Sequence, residues 1–162
     1  MDTTEVMGVE YMSLNDDLIV LYGTETGNSE LLSMQICREA KKLGIKAKYF
    51  AMDEIDSENM MSYSRLIIVC STWGDGELPD NAQDLFEYTD GLEDNDLISM
   101  QYSILALGDT AFDLFCEAGK EWDRVLEEKG ATRIAERVDC DVDYEDDAEE
   151  WIATVLNKLQ CL

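Results

Sequence analysis

The sequence predicts an α/β domain in which helices cover both faces of an open parallel sheet of five strands. Two observations predict this class. Strand-like and helix-like segments alternate five times along the chain, which is typical of parallel strands joined by right-handed crossovers. Several of the strand-like segments are short, continuous apolar runs without alternation, as expected of strands buried on both faces. At 162 residues, the chain has the length of one domain.

The first elements show how the assignments follow from hydrophobic spacing. Residues 18–22 form an apolar run and predict the first strand. A helix is predicted over 28–43, because one stripe of apolar side chains recurs at helical spacing and Gly44 follows; the stripe consists of Leu31, Leu32, Ile36, Ala40 and Leu43. The remaining predicted strands are 46–51, 66–70, 102–107 and 134–138, and the remaining predicted helices are 81–89, 115–128 and 145–159. Residues 1–17 are interpreted as a flexible N-terminal tail, and 18–162 as the domain.

Composition excludes several classes of function. The formal net charge of −25 argues against binding to nucleic acid or to anionic membranes, which need a basic surface. No apolar run approaches the ~20 residues that span a bilayer, and the start lacks the features of a secretory signal. The five cysteines show no CxxC spacing, which favours reduced thiols in the cytoplasm. The chain has no histidine, which removes histidine bases and histidine metal ligands, and no metal site is predicted.

Charge is distributed unevenly. The 54 residues between Arg65 and Lys120 contain 12 acids and no Lys or Arg. Five of the 12 basic residues lie within 11 positions, from Arg38 to Lys48. A heavily solvated surface, as in proteins from salty environments, is the alternative reading of the acidity, but that reading predicts evenly spread acids. The distribution instead indicates an acidic docking surface for basic partners.

The loop after the first strand has the composition of a phosphate site. Residues 23–29 join a buried strand to a helix N-terminus and contain three hydroxyl side chains, one amide and two glycines. Asn28 or Ser29 is expected to cap the helix. No lysine follows Gly27, so the loop is not a Walker A motif, and neutral donors suit a terminal phosphate monoester. A helix start without any ligand is the equally weighted alternative from this loop alone.

Three loops together resemble a known family. The pattern [ST]-x-T-G-x-[ST] is formed by Thr24, Glu25, Thr26, Gly27, Asn28 and Ser29. The second loop contains Ser71, Thr72, Trp73, Gly74, Asp75 and Gly76, and the third contains Leu107, Gly108, Asp109, Phe112, Phe115 and Cys116. These motifs resemble short-chain flavodoxins and the FMN domain of diflavin reductases of the sulfite reductase flavoprotein type, over residues 18–159. The resemblance implies a flavodoxin-like three-layer sandwich with strand order 2-1-3-4-5.

The resemblance also implies a cofactor, FMN, and a role for each loop. The first loop would hold the phosphate, and Ser71 and Thr72 would lie near the phosphate and ribityl chain. Trp73 would stack on one face of the flavin ring and Phe112 on the other, where the family usually has tyrosine. Core packing is the alternative for both aromatic residues. The peptide after Trp73 would reorient at Gly74 when the flavin gains one electron. The ring edge would be lined by Asp75, Gly76, Gly108 and Asp109.

The implied function is a low-potential one-electron carrier, not itself an enzyme, that acts as a cytoplasmic monomer. Its expected partners are basic redox proteins, namely an NADPH-dependent flavodoxin reductase and haem or iron–sulfur acceptors. The first alternative is a stand-alone FMN domain or subunit of a larger reductase; no nicotinamide-binding region follows Leu162, so the chain alone is not expected to accept hydride. A quinone-reductase-like enzyme and a binding module that has lost flavin are further alternatives. A phosphorelay receiver is excluded, because Cys70 and Ser71 stand where it needs aspartate.

Overall fold

The computed structural model of the protein describes residues 17–161. The predicted tail lies outside the described residues except for Asp17. The strands are β1 Leu18–Gly23, β2 Ala47–Ala51, β3 Arg65–Ser71, β4 Gln101–Leu107, β5 Thr132–Arg133 and β6 Val138–Cys140. The α-helices are α1 Asn28–Lys42, α2 Gln83–Asp90, α3 Glu117–Glu128 and α4 Glu145–Gln160. Three short 3₁₀ helices cover Met52–Glu54, Ser57–Ser62 and Asp80–Ala82.

All strand pairs in the described sheet are parallel, and the order β2-β1-β3-β4-β5 confirms the predicted topology. The short strand β6 pairs with the far end of β4. Leu21 lies opposite Phe50 on β2 and opposite Ile68 on β3, so β1 is central. The carboxyl ends of β1, β3 and β4 therefore meet at one edge of the sheet. Ligands bind at that edge in folds of this kind.

The hydrophobic core lies in two layers, one on each face of the sheet. On one face Val20 belongs to a cluster that includes Ile36 of α1 and Val155 of α4. On the other face Leu21 belongs to a cluster that includes Leu85 of α2 and Trp122 of α3. Neighbouring residues of β1 thus serve opposite layers, which explains its continuous apolar run. Burial of each such side chain contributes about 1.5–3 kcal/mol.

The prediction of one strand over 134–138 is wrong. β4 pairs first with Thr132–Arg133 and then with Val138–Cys140, and residues 134–137 lie between these two strands. Tyr102 lies opposite Arg133, and Leu105 lies opposite Val138. Three steps along β4 therefore match five along its partner, and two extra residues are accommodated outside the ladder.

A buried ionic network occupies this interruption. The carboxylate of Asp123 accepts hydrogen bonds from Tyr102 Oη at 2.7 Å, Arg133 Nε at 2.9 Å and Arg137 Nη1 at 2.6 Å. Arg137 Nε also donates to Asp139 at 2.7 Å. Burial, and then the contact with Asp123, raise the pKa of Tyr102 above its ordinary range. The two extra residues bring Arg133 and Arg137 close enough to contact the same buried carboxylate of Asp123. In a continuous strand these two arginines would lie farther apart.

Two helices begin two residues later in the structure than the sequence predicts. Helix α2 begins at Gln83, after a 3₁₀ turn, rather than at 81. Helix α3 begins at Glu117 rather than at 115, because Cys116 has a φ of 56° and lies in the left-handed region. In residues 17–161 no helix is both long enough and apolar enough to cross a membrane.

Candidate functional site

A cavity of about 410 Å³ lies at the carboxyl ends of β1, β3 and β4. Its volume is within the range of cofactor and ligand sites. All three loops selected from the sequence contribute to its wall. The selected residues that line it are Glu25, Thr26, Asn28, Ser71, Thr72, Trp73, Gly74, Leu107, Gly108, Asp109 and Phe112.

The first loop presents an uncapped helix start to this cavity. Gly27, with a φ of 95°, is the N-terminal boundary of α1, and no side chain caps the helix within the described chain. The expectation that Asn28 or Ser29 caps the helix is therefore wrong. Thr24 Oγ1 instead accepts the N–H groups of Thr26 and Gly27 at 3.2 and 2.9 Å. The N–H groups of the first turn of α1 are thus left for an anion, which fits a phosphate.

The hydroxyl groups below this loop join neighbouring elements. Ser29 is fully buried, and its Oγ lies 2.8 Å from Oγ of Ser71. Thr72 Oγ1 accepts the N–H of Ala118 at 3.0 Å and so caps the first turn of α3. These contacts fix the end of β3 between the N-termini of α1 and α3.

The second loop is a tight hairpin that displays Trp73. The N–H of Trp73 donates to Glu77 O at 2.8 Å, and the N–H of Glu77 donates back at 2.7 Å. Gly74 and Gly76 have φ values of 54° and 101°, which glycine tolerates and other residues rarely adopt. Trp73 is 49% exposed. Its ring is therefore part of the cavity wall and is not a core residue.

The third loop displays Phe112, which is 53% exposed. Its N–H donates to Asp109 O at 3.1 Å, and Asp109 Oδ1 accepts the N–H of Ala111 at 2.8 Å. Gly108 packs so closely that a Cβ there would lie 2.8 Å from the backbone nitrogen of Cys116. The exposure of Phe112 excludes core packing, so two aromatic rings are available to a planar ligand.

Contacts between the loops connect them into one frame. Glu25 Oε1 of the first loop accepts the N–H of Asp80 in the second loop at 2.8 Å. Thr24 N–H donates to Asn81 Oδ1 at 3.1 Å. The second and third loops meet where Gly76 packs against Leu114, since a Cβ on Gly76 would lie 2.6 Å from Leu114 Cδ1. The walls of the cavity are therefore positioned by one another.

Seven residues selected from the sequence do not line the cavity: Thr24, Gly27, Ser29, Asp75, Gly76, Phe115 and Cys116. Among them, Thr24 and Ser29 make hydrogen bonds that hold the first loop and its helix start in place. Cys116 is fully buried, and its thiol donates to Cys140 O at 3.6 Å. Burial raises the pKa of Cys70 and Cys116 to about 12 and that of Cys140 to about 11. These thiols are therefore protonated at neutral pH and poorly reactive.

The sequence analysis missed part of the wall. Four residues that the sequence analysis did not select also line the cavity: Leu114, Asp141, Val142 and Tyr144. Leu114 is 47% exposed and Val142 is 61% exposed. A signal was present at Val142, an apolar residue between two aspartates, four residues past the end of the strand predicted over 134–138. The carboxyl end of that strand faces the same edge of the sheet.

The charged side chains that line the cavity are all acidic. No Lys or Arg lines the cavity within the described chain, whereas Glu25, Asp109 and Asp141 do. Lys41 and Lys42 are in the last turn of α1, at the opposite edge of the sheet. The acids that line the cavity and this pair of lysines therefore lie at opposite edges of the sheet, whereas Asp90, Glu93 and Asp96 precede β4 and lie at the same edge as the lysines.

Comparisons with known proteins agree with the resemblance to flavodoxins and to the sulfite reductase flavoprotein. The Flavodoxin family matches residues 20–152. The chain is 38% identical over 147 residues to the sulfite reductase [NADPH] flavoprotein alpha-component of Bacillus subtilis (strain 168), covering 91% of this chain and 24% of that protein. The counterpart from Vibrio parahaemolyticus is 39% identical over 143 residues, covering 88% of this chain and 23% of that one. The chain thus spans about a quarter of the length of these relatives.

Solved structures agree with this result. A Streptococcus pneumoniae flavodoxin superimposes with a TM-score of 0.79 at 27% identity, covering 89% of this chain and 97% of that one. Oxidised flavodoxin 2 from Bacillus cereus gives a TM-score of 0.74 at 26% identity, covering 88% and 97%. The uncapped helix start and the two exposed aromatic rings fit a flavin mononucleotide. The chain therefore belongs to the flavodoxin family and has the cofactor of that family, FMN.

Proposed function

We propose that the protein is a low-potential one-electron carrier that passes electrons from a separate reductase to acceptor redox proteins. One observation carries the proposal most strongly: a cavity with two exposed aromatic rings, Trp73 and Phe112, opens among acids and has no basic residue in its described wall. FMN supplies the redox chemistry when bound. The protein's own residues bind the cofactor, set its potential and select the partner.

In this proposal each loop has a separate task. The N–H groups at the start of α1 hold the phosphate, together with Thr26 and Asn28. Trp73 and Phe112 contact the flavin ring, and Gly74, Gly108 and Asp109 border it. Leu114, Val142 and Tyr144 extend the wall and exclude water from the side that the predicted residues leave open.

The carboxylates supply the low potential. The second electron added to the cofactor would make it anionic, and nearby acids oppose that step. At ~10 Å and an effective dielectric of ~20, one unit charge costs on the order of 1–2 kcal/mol before screening by salt. For a one-electron step this is several tens of millivolts per carboxylate, since ~59 mV corresponds to a factor of ten. Several acids together would give the uptake of the second electron a low reduction potential.

The same acids favour basic partners. An NADPH-dependent flavodoxin reductase as donor and haem or iron–sulfur proteins as acceptors fit this surface, because opposite charges steer association. The five cysteines are free. Free thiols are typical of a reducing compartment, which supports a cytoplasmic location. In this role the protein acts as a monomer, and the catalytic steps belong to its partners.

Calorimetric titration of the apoprotein with FMN and with riboflavin tests the phosphate assignment. FMN is expected to bind far more tightly, because only FMN can use the N–H groups at the start of α1. Equal affinities would remove that assignment. Electron transfer through the holoprotein, from a separate NADPH-dependent reductase to a haem acceptor, then tests the carrier function over many turnovers.

A second candidate function is the FMN domain or subunit of a larger NADPH-dependent reductase. The relatives at 38–39% identity favour it, because they are sulfite reductase flavoprotein components. The two candidates differ in how long the complex lasts. A carrier forms a transient complex that elutes as separate components in size-exclusion chromatography, whereas a subunit co-elutes with its reductase partner. Co-elution that persists at high salt would favour the subunit.

A further inference from the structure

The third loop is held in place by the carboxylate of Asp141, a residue that lies about 30 positions later in the chain. Asp141 follows β6 directly, and its side chain accepts three hydrogen bonds. Asp141 Oδ2 accepts the hydroxyl of Thr110 at 2.6 Å, and Oδ1 accepts the N–H of Thr110 at 3.1 Å. Oδ1 also accepts the N–H of Val142 at 2.8 Å. Both oxygens of one acid are therefore engaged, and two of the three bonds come from a single residue of the third loop.

The other end of this connection is anchored in the core. Gly108 N–H donates to Cys140 O at 2.9 Å, immediately before Asp141. Asp139, one residue earlier, pairs with Arg137, which also reaches the buried Asp123. Asp141 thus extends from a segment that the ionic network fixes, and it holds Thr110 relative to that segment. Residues 109 and 112, which border the cavity, lie on either side of Thr110.

We propose that Asp141 is a positioning residue for FMN: its hydrogen bonds to Thr110 hold the third loop, and with it Asp109 and Phe112, in the arrangement that receives the flavin ring. This proposal rests on the proposed roles of Phe112 and Asp109. The role proposed for Asp141 differs from that of the acids that steer partners, because it acts through hydrogen bonds to the third loop. The hydrogen bonds from Thr110 and Val142 also lower the pKa of Asp141, so it stays ionised at neutral pH.

A carboxylate is suited to this task, and an amide can replace much of it. Asparagine keeps one oxygen that can accept the two N–H groups, and its NH₂ group can donate to the Thr110 hydroxyl. Alanine keeps none of these bonds. Asp143, two residues later, is exposed and has no hydrogen bond among the described residues, so it gives a control with the same loss of charge.

The test compares four proteins: the wild type, Asp141→Ala, Asp141→Asn and Asp143→Ala. We expect Asp141→Ala to raise the FMN dissociation constant about tenfold, and Asp141→Asn and Asp143→Ala to stay within about threefold of the wild type. In the cofactor-free protein, amide exchange of Thr110 should be at least about tenfold faster in Asp141→Ala than in Asp143→Ala. Thermal unfolding of each apoprotein verifies that the variants are folded.

Two results would overturn the proposal. If Asp141→Ala and Asp143→Ala match in FMN affinity and in Thr110 exchange, Asp141 acts only through charge. If Asp141→Asn is as impaired as Asp141→Ala in FMN affinity, the charge is again the operative property. Failure of the proposed function looks different, because the wild type would then bind FMN no better than riboflavin. The Thr110 exchange measurement does not depend on FMN and still decides whether the carboxylate holds the loop.

Discussion

Replacing each aromatic residue of the cavity by alanine should weaken FMN binding, and Trp73 should matter more than Phe112. An aromatic side chain presents about 150–250 Å² of surface, with tryptophan at the upper end and phenylalanine nearer the lower. Since Trp73 is 49% exposed and Phe112 53%, about 120 and 80 Å² are open to a ligand. If a flat ring covers half of that area, the contact contributes about 1.5 and 1 kcal/mol respectively, at ~25 cal/mol per Å².

These energies correspond to increases in the dissociation constant of roughly tenfold for Trp73→Ala and fivefold for Phe112→Ala. The backbone ladder between Trp73 and Glu77 does not involve the indole ring, so the loop should keep its shape in the variant. This rigidity adds to the advantage of Trp73, because a preorganised residue loses less entropy on binding.

Calorimetric titration of both apoproteins with FMN decides the order. Riboflavin provides the internal control, because a residue that stacks on the ring should cost both ligands the same free energy. A larger effect of Phe112→Ala would remove Trp73 as the main stacking residue. A loss seen with FMN and absent with riboflavin would show that the residue acts on the phosphate instead.

Three further changes give distinct expectations. Gly74→Val should lower the free energy of unfolding by about 1–2 kcal/mol, since Gly74 has a left-handed φ of 54° that costs a non-glycine residue about that much; an unchanged free energy in urea titration contradicts this. Asp123→Asn should lower the free energy of unfolding in urea by about 2–4 kcal/mol, because Arg133 and Arg137 lose their shared buried carboxylate and keep only the more exposed Glu127 and Asp139; a loss below 1 kcal/mol argues against the network. Electron transfer to a basic partner should slow as salt rises, and neutralising acids of the second loop should flatten that dependence more than neutralising acids of α4; equal effects would show that only net charge matters. The two sets are Asp75, Glu77 and Asp80 against Glu149 and Glu150.

The elements with strong hydrophobic patterns were predictable from the sequence. The run at 66–70 and the stripe of α4 correspond to β3 and α4, because burial on both faces or on one stripe leaves a direct mark on residue order. The fifth strand was not predictable in its correct extent. Its interruption depends on Arg133 and Arg137 both reaching Asp123, and such a contact between distant residues leaves no local pattern.

The candidate site, too, was predictable only in part from the sequence. Loops that follow buried strands and contain glycines and hydroxyl groups were found, and eleven of their selected residues line the cavity. Leu114, Val142 and Tyr144 were missed because their positions depend on how the chain turns between the end of a strand and the start of the next helix. The role of Glu25 could not be derived either. It stands in the first loop, yet its carboxylate accepts an N–H from the second loop, 55 residues away.

The burial of the thiols has a practical consequence for experiments. Three cysteines are fully buried, Cys37 is half-buried with a pKa raised to about 11, and Cys161 is exposed. Cys161 follows the last turn of α4, whose 16 residues span roughly 24 Å from the cavity-lining Tyr144. A maleimide dye should therefore attach at one place, far from the docking surface. Fluorescence of that dye can then report loading of the flavin and arrival of a partner without disturbing either.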